Sequence, residues 1–278
     1  MALDASKQTE LLMSDSDFER VSELAYLYTG IVFVTQKKDM VYRRLSRRLR
    51  ELDLQTMEAY FPLIDNETKP EVSLFINAIS TNLSEFFREP HHFDYLEQTI
   101  CAQWKVANSA SKKIRVWSAG CSTGEEPYSI SMILKENFNN WSCDILATDL
   151  DSKLIVKGRH AVYDLESLGP LGLERKKQWF LGDKRNPGVV QVRPELQEMI
   201  EFKCLNLLDD WPVQENFDLI FCRNVALYFN ESSQKMLFDR FANSLNEEGY
   251  LVLGRSERLD GVCQRFKPVG KTIYQKIR

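Results

Sequence analysis

Ile114-Arg-Val-Trp-Ser-Ala-Gly-Cys-Ser-Thr-Gly-Glu-Glu-Pro-Tyr-Ser-Ile130 reads as a strand, a tight turn and the start of a helix. Ile114, Val116 and Trp117 are β-leaning and apolar, the next residues are small, and Tyr128, Ile130, Ile133 and Leu134 then recur at helical spacing. Gly120 and Gly124 let the backbone turn sharply and approach a ligand closely. Neither the Gly-Lys-Ser/Thr of a phosphate loop nor the third glycine of a dinucleotide fingerprint is present. A nucleoside without a pyrophosphate is the expected ligand.

Downstream, Cys143-Asp-Ile-Leu-Ala-Thr-Asp-Leu-Asp151 reads as a second short buried strand, from Asp144 to Thr148. Asp149 falls at its carboxyl end, where an acid can accept hydrogen bonds from both ribose hydroxyls. Turn chemistry and helix capping would account for the same pattern, so the surrounding words matter.

Those words are Thr81-Asn-Leu-Ser-Glu-Phe-Phe-Arg-Glu89, the loop from Ser118 to Ser129, and Phe217-Asp-Leu-Ile-Phe-Cys-Arg-Asn-Val225 followed by Tyr228-Phe229. With them in order, the sequence closely resembles the CheR family, S-adenosylmethionine-dependent methyltransferases that esterify glutamates on bacterial chemoreceptors. The resemblance runs from about Asp17 to Tyr274. It implies an α/β fold: a Rossmann-like class I methyltransferase with a seven-stranded sheet and a small β-hairpin subdomain, preceded by a small all-α domain. It also implies S-adenosyl-L-methionine as cofactor, with S-adenosyl-L-homocysteine as product.

Composition limits the class. The 278 residues are 44% hydrophobic, enough for one large or two modest cores, and the formal net charge of −4 argues against general nucleic-acid affinity. No apolar run of membrane-spanning length and no secretory signal pattern is found, so a cytoplasmic protein without membrane insertion is expected; a monomer is the expected state. The six cysteines form no Cys-x-x-Cys pair and read as buried reduced thiols. With histidines only at 91, 92 and 160, no metal is expected.

Residues before Ser14 read as a loose tail. Ser16 and Glu19 have capping-box spacing, and Phe18, Val21, Leu24, Ala25 and Tyr28 then share a helical face up to Gly30. From Lys37 to Asp53 a second helix carries Val41, Leu45, Leu49 and Leu52 in one stripe. Arg43, Arg47 and Arg50 lie opposite, and Arg44 and Arg48 flank them. These five read either as a solvated face or, by the resemblance, as the surface that contacts the acidic methylation helices of the receptor. Helices near 57–64 and 71–79 close an all-helical recognition domain, residues 1–80. Residues 81–278 form the methyltransferase domain, in which a helix begins at Pro90.

A helix near 152–157 precedes an insertion at about 160–193, which holds a helix around 174–179 and a hairpin with Asn186-Pro-Gly188 at its turn. This insertion's place in the strand order predicts that it is dispensable for the core, and by the resemblance it is a candidate dock for a receptor's C-terminal peptide. Strands near 200–204, 217–222 and 250–253, a helix through Met236, Phe238 and Phe241, and a terminal strand near 272–277 complete a mostly parallel sheet with its ligand at the strands' carboxyl ends.

By the resemblance, Gly120 and Glu126 line the methionine part of the cofactor, Asp149 holds the ribose, and Asn206 and Leu207 border the adenine. Asn82, Ser84 and Arg88 approach the methyl-donor side with Arg223 and Asn224. Arg88 and Tyr228 are placed beside the reacting carboxylate, since a guanidinium fork and a phenolic hydroxyl can orient its two oxygens. A glutamate is ionised at neutral pH, so transfer to it needs alignment and desolvation rather than a general base. Two departures from the family are Ser84 in place of threonine, and Gly254-Arg-Ser-Glu-Arg258 in place of Gly-His-Ser-Glu-Asn. A base-flipping adenine methyltransferase would carry Asp/Asn-Pro-Pro-Tyr/Phe where this chain has Cys222-Arg-Asn-Val225. A non-catalytic cofactor-binding module would keep Asp149 and the glycines without Arg88 or Tyr228.

Overall fold

The computed structural model describes residues 13–65, 70–80, 83–183, 185–211 and 216–277. The predicted tail lies almost wholly outside them, as does Asn82. The chain divides into two compact units, Met1–Ser80 and Thr81–Arg278.

The first unit is helical: α1 (Asp15–Thr29), α2 (Lys38–Glu51), α3 (Met57–Ile64) and α4 (Pro70–Ile79). The capping box at α1 is Ser14 with Asp17, not Ser16 with Glu19: Ser14 Oγ accepts from Asp17 N and the Asp17 carboxylate accepts from Ser14 N. Both serines precede the apolar face, and the earlier one, with an aspartate as reciprocal partner, starts the helix. Gly30 ends it in the left-handed region at φ 72°. Val21, Leu24, Val41, Leu45, Leu49, Tyr60 and Phe75 form the core, each fully buried large side chain contributing about 1.5–3 kcal/mol.

Helix α2 corrects the five-arginine reading. Arg43, Arg47 and Arg50 are exposed as predicted. Arg44 and Arg48 instead turn back onto their own unit. Arg44 Nη1 donates to the carbonyls of Ile79 and Ser80 at 2.9 and 2.6 Å, while Arg48 grips both oxygens of Glu71 at 2.8 and 2.6 Å and reaches Glu51 at 2.9 Å. The Tyr60 hydroxyl donates to the same Glu71 carboxylate at 2.7 Å. Burial acts to raise the Glu71 carboxyl, but Arg48 and Tyr60 hold it below its ordinary value.

The second unit opens with α5 (Pro90–Tyr95), a π-helical turn (Leu96–Ile100) and α6 (Cys101–Ala107). It continues through β1 (Lys113–Ala119), α7 (Glu125–Asn137), β2 (Ser142–Asp149), α8 (Ser152–His160), β3 (Val162–Asp164), α9 (Leu173–Trp179), β4 (Phe180–Gly182), β5 (Val189–Val192) and α10 (Pro194–Gln197). Then come β6 (Ile200–Cys204), β7 (Phe217–Cys222), α11 (Glu231–Ser244), β8 (Leu245–Leu253), β9 (Phe266–Gly270) and β10 (Ile273–Lys276).

The main sheet has the order β6-β2-β1-β7-β8-β10-β9, with β9 and β10 as the antiparallel terminal hairpin. The chain steps from β1 outward to β2 and later returns to β1's other side with β7. That reversal is a topological switch point, and a ligand crevice belongs at the carboxyl ends of β1 and β7. Central strands of a parallel sheet are covered on both faces, and accordingly residues 116–119 of β1 and 219–222 of β7 are buried without a break. Ile114, Val116, Ile133, Ile145, Leu219 and Val252 fill one core. Trp117, fully buried, packs edge-on against Trp211 and Phe241 and donates Nε1–H to Thr148 Oγ1 at 2.9 Å.

The insertion forms its own antiparallel sheet, β3-β5-β4. It is more than an appendage, which corrects the expectation that it is dispensable for the core. Tyr163 Oη donates to the Thr123 carbonyl at 2.7 Å, Trp179 Nε1 donates to Glu136 at 2.8 Å, and the Phe180 and Tyr163 rings pack edge-on against buried Phe86. Five cysteines are buried as expected, and burial pushes the Cys101 and Cys143 thiols up to about 12. Cys204 is exposed because β6 is an edge strand.

Candidate active site

The loops that follow β1 and β7 meet at the carboxyl edge of the sheet. The backbone N–H groups of Gly120 and Cys121 both donate to Thr148 O, at 2.8 and 2.9 Å, hooking the loop after β1 onto the end of β2. Gly120 has φ 89°, and a Cβ there would stand 2.3 Å from Val225 Cγ2, so only glycine lets the β1 and β7 loops meet.

Asp149 Oδ2 accepts from Ser122 N at 2.8 Å and Oδ1 from Asp151 N at 3.0 Å. Burial raises its carboxyl above the ordinary value, and these amides oppose the shift. An ionised carboxylate has about four lone-pair sites, so acceptor capacity remains for ribose hydroxyls.

Glu126 sits in the first turn of α7, where a carboxylate complements the helix dipole. It accepts from Ser118 Oγ at 2.7 Å and from Arg223 Nη1 at 3.1 Å; burial raises it and Arg223 opposes. Arg223, itself buried, lies over the Phe93 ring with its guanidinium carbon 5.5 Å from the centroid and donates through Nη2 to the Arg88 carbonyl.

Arg88 is flanked by two residues in the left-handed region, Phe87 at φ 54° and Glu89 at φ 58°. Such conformations cost about 1–3 kcal/mol each and persist where their surroundings hold them. Here Phe87 N donates to Ser129 Oγ at 3.0 Å and the Arg175 guanidinium lies 4.9 Å over the Phe87 ring. Arg88 Nη1 donates to Leu83 O at 2.7 Å. Among the described residues it has no carboxylate in ion-pair contact, so its charge remains available to an anion.

These pieces border an open cleft lined by Ser84, Arg88, Gly120, Glu126, Arg223 and Asn224, together with Leu83, Glu85, Cys121 and Ser122. The first six were predicted from the sequence; the other four were not singled out, although Cys121 and Ser122 lie in the glycine loop itself. Asp149 reaches the cleft through Ser122. Asn206 and Leu207 follow β6, outside this lining. Asn206 acts as a turn former, its Oδ1 accepting from Leu208 N at 3.1 Å, and the Leu207 carbonyl accepts from Trp211 and Arg240. Tyr228 ends the 3₁₀ turn Ala226–Tyr228 after Asn224, half-buried and also outside the lining.

Glu257 was missed in the sequence. Its buried carboxylate accepts four backbone N–H groups: Gly254 at 2.7 Å, Asn224 at 2.8 Å, Val225 at 2.9 Å and Leu227 at 3.1 Å. The word Gly254-Arg-Ser-Glu257 was the available signal. One group of metal-ligating type exists among the described residues, Glu89, His91 and His92, with ligand atoms within 4.8 Å of one another. The Arg223 guanidinium stands 3.9 Å from Glu89 Oε2, and its positive charge disfavours a cation there.

The family profile described as "CheR methyltransferase, SAM binding domain" matches residues 82–275, and "CheR methyltransferase, all-alpha domain" matches residues 16–80. The chain belongs to the CheR methyltransferase family. Its boundary at Ser80 is the family's own domain boundary. The chain is 40% identical to the "Chemotaxis protein methyltransferase" of Escherichia coli over 271 residues, covering 95% of this chain and 92% of that protein. It is 38% identical to the protein of the same name in Salmonella typhimurium, with 95% and 91% covered. With "Chemotaxis protein methyltransferase 2" of Pseudomonas aeruginosa it shares 40% identity, with 93% and 92% covered.

S-adenosylmethionine is accordingly the cofactor, and the cleft fits it. Among the described residues, Ser122 Oγ and Arg223 Nε are buried without a hydrogen-bond partner, and Gly120 lets the β1 and β7 loops meet at the switch point. No helix among the described residues is long and apolar enough to cross a membrane.

Proposed function

We propose that this CheR-family chain esterifies glutamate side chains in the methylation helices of bacterial chemoreceptors, acting in the cytoplasm as a monomeric protein-glutamate O-methyltransferase. The observation that carries this reading is Arg88. It is a cation at the cleft whose one described side-chain bond goes to a carbonyl, beside an Arg223 already matched by Glu126.

When bound, S-adenosylmethionine supplies a methyl group on a positively charged sulfur, activated for in-line displacement. Gly120, Glu126 and Asp149 hold that donor, and Asn206 and Leu207 border its base. Ser84, Arg88, Arg223 and Asn224 approach the methyl-donor side. Arg88 orients the incoming carboxylate through its planar fork, and Tyr228 holds the second oxygen when substrate is seated. A glutamate reaches the cleft already ionised, so the protein's work is alignment and exclusion of water.

The exposed Arg43, Arg47 and Arg50 of α2 form the recognition face for acidic methylation helices. Arg44 and Arg48 shape that face from beneath, their guanidinium groups being engaged within the helical unit. The small sheet β3-β5-β4 has two edges, and an edge strand is a natural seat for an extended receptor C-terminal peptide.

The test is transfer of radiolabelled methyl from S-adenosylmethionine to membranes carrying the organism's chemoreceptors. Alkaline release of the label as methanol is expected. An alkali-stable product would point to N-methylation and overturn the reading.

A further inference from the structure

Between the carboxyl ends of β7 and β8 lies an anion site filled by the protein's own side chain. The successive N–H groups of Asn224 and Val225, with that of Leu227 one residue further on, converge on the Glu257 carboxylate, and Gly254 N closes it from the other strand. Consecutive amides aimed at one anion form a nest, and this one requires a left-handed residue, which Asn224 provides at φ 59°. The approach is close: a Cβ on Gly254 would stand 2.6 Å from Asn224 Nδ2.

The anchored segment is bracketed by site residues. Arg223 precedes it and pairs with Glu126, Asn224 lines the cleft, and Tyr228 follows, its N–H donating to Val225 O at 3.1 Å. Val225 is also the residue that abuts Gly120. The same loop after β8 touches the Arg88 segment, where Arg255 N donates to Glu89 Oε1 at 3.4 Å. One buried carboxylate therefore sets the backbone of a segment that carries a cleft residue and leads into Tyr228.

We infer that Glu257 is a positioning residue for methyl transfer, acting through Asn224 by holding it in the left-handed conformation that directs its side chain to the cleft. The inference rests on the proposed carboxylate methylation. Glu257 touches neither substrate nor cofactor in this account; its effect passes through the backbone it binds. Glutamine in its place keeps the size but brings an amide N–H₂ against N–H donors, so part of the nest must open.

The experiment measures receptor methylation, S-adenosylhomocysteine affinity and thermal stability for Glu257→Gln, Asn224→Ala and the double variant. Turnover of Glu257→Gln at saturating cofactor should fall about 10²-fold, the scale on which a small misplacement acts. Its product affinity should stay within about threefold of wild type. The double variant should be no slower than the slower single one, since both changes act on the same side chain. Wild-type turnover in Glu257→Gln, or losses that simply multiply in the double variant, would overturn the inference. If Glu257→Gln does not fold, amide exchange in the unaltered protein decides: slow exchange at Asn224, Val225 and Leu227 without cofactor supports the anchor, and free exchange overturns it. Failure of the wild type to methylate receptors would instead count against the proposed function, while the amide measurement would still judge the anchor.

Discussion

The arginines of α2 and the arginine at the end of β7 carry the same group in opposite surroundings. Arg43, Arg47 and Arg50 stand in solvent: Arg43 Nε and Arg50 Nε bond carbonyls one turn back, and Arg47 lies 3.5 Å from Glu51 with most of its side chain exposed. Arg223 is buried over an aromatic ring, with Glu126 at 3.1 Å. An exposed charge is screened by salt and contributes about 0–1 kcal/mol per pair, so it acts by number. A buried pair acts singly, because removing one partner leaves the other uncompensated. The surface set is suited to attracting and orienting an acidic helix, and the buried set to fixing a geometry.

The largest effect should come from breaking the buried set. Arg223→Met strands Glu126 in a low-dielectric pocket and should reduce unfolding free energy by about 3–5 kcal/mol. Denaturant midpoints check this, and a loss of the size seen for surface arginines would erase the contrast. Asp149→Ala should weaken S-adenosylhomocysteine binding by about 1.5–3 kcal/mol, read by calorimetry, because a buried ribose would lose its charged acceptor. Unchanged affinity in a folded variant would remove Asp149 from the site.

His92 sharpens the comparison through pH. Burial first, then Arg223 and His91, lower it from 6.5 to about 3. The unfolded chain therefore takes up a proton that the folded chain refuses. Stability is complete above pH 6.5 and declines as pH falls toward 3, by about 1–2 kcal/mol at about pH 5. His92→Gln should flatten that decline between pH 6.5 and 4.5. This window lies above the one in which Glu71, held low by Arg48, loses its contribution by taking up its proton. A slope unchanged by the substitution would place the titrating group elsewhere. Smaller again, Tyr228→Phe should lower turnover about tenfold while cofactor affinity holds. Equal turnover at saturating cofactor and receptor would remove the hydroxyl from the acceptor side.

What the sequence disclosed follows the same division between local and distant causes. Strands Ile200–Cys204 and Phe217–Cys222 and helix Met57–Ile64 fall where apolar runs and turn residues placed them. Ser84, Arg88, Gly120, Glu126, Arg223 and Asn224 were legible as words, and the sheet's reversal at β1 brings them to one cleft. Arg44 and Arg48 were misread because a helical wheel gives an angle and not the acceptors at that angle. Those acceptors are Ile79, Ser80 and Glu71, far along the chain. Glu257 was missed for the same reason, since three of its four donors come from the neighbouring strand's loop. The insertion looked removable because strand order shows where it enters but not that Tyr163 and Phe180 pack back toward the cofactor loop and Phe86.

The two arginine sets divide the work between attracting substrate and holding the site, and charge reversal on α2 separates the two roles. Arg43, Arg47 and Arg50 are changed together to glutamate, and receptor methylation at saturating cofactor is followed across a salt series beside S-adenosylhomocysteine affinity. Methylation should fall sharply, partly reproduced in the wild type as salt rises, with cofactor affinity unchanged. Methylation at the wild-type rate across the whole series would contradict that division and make the α2 face an ordinary solvated surface.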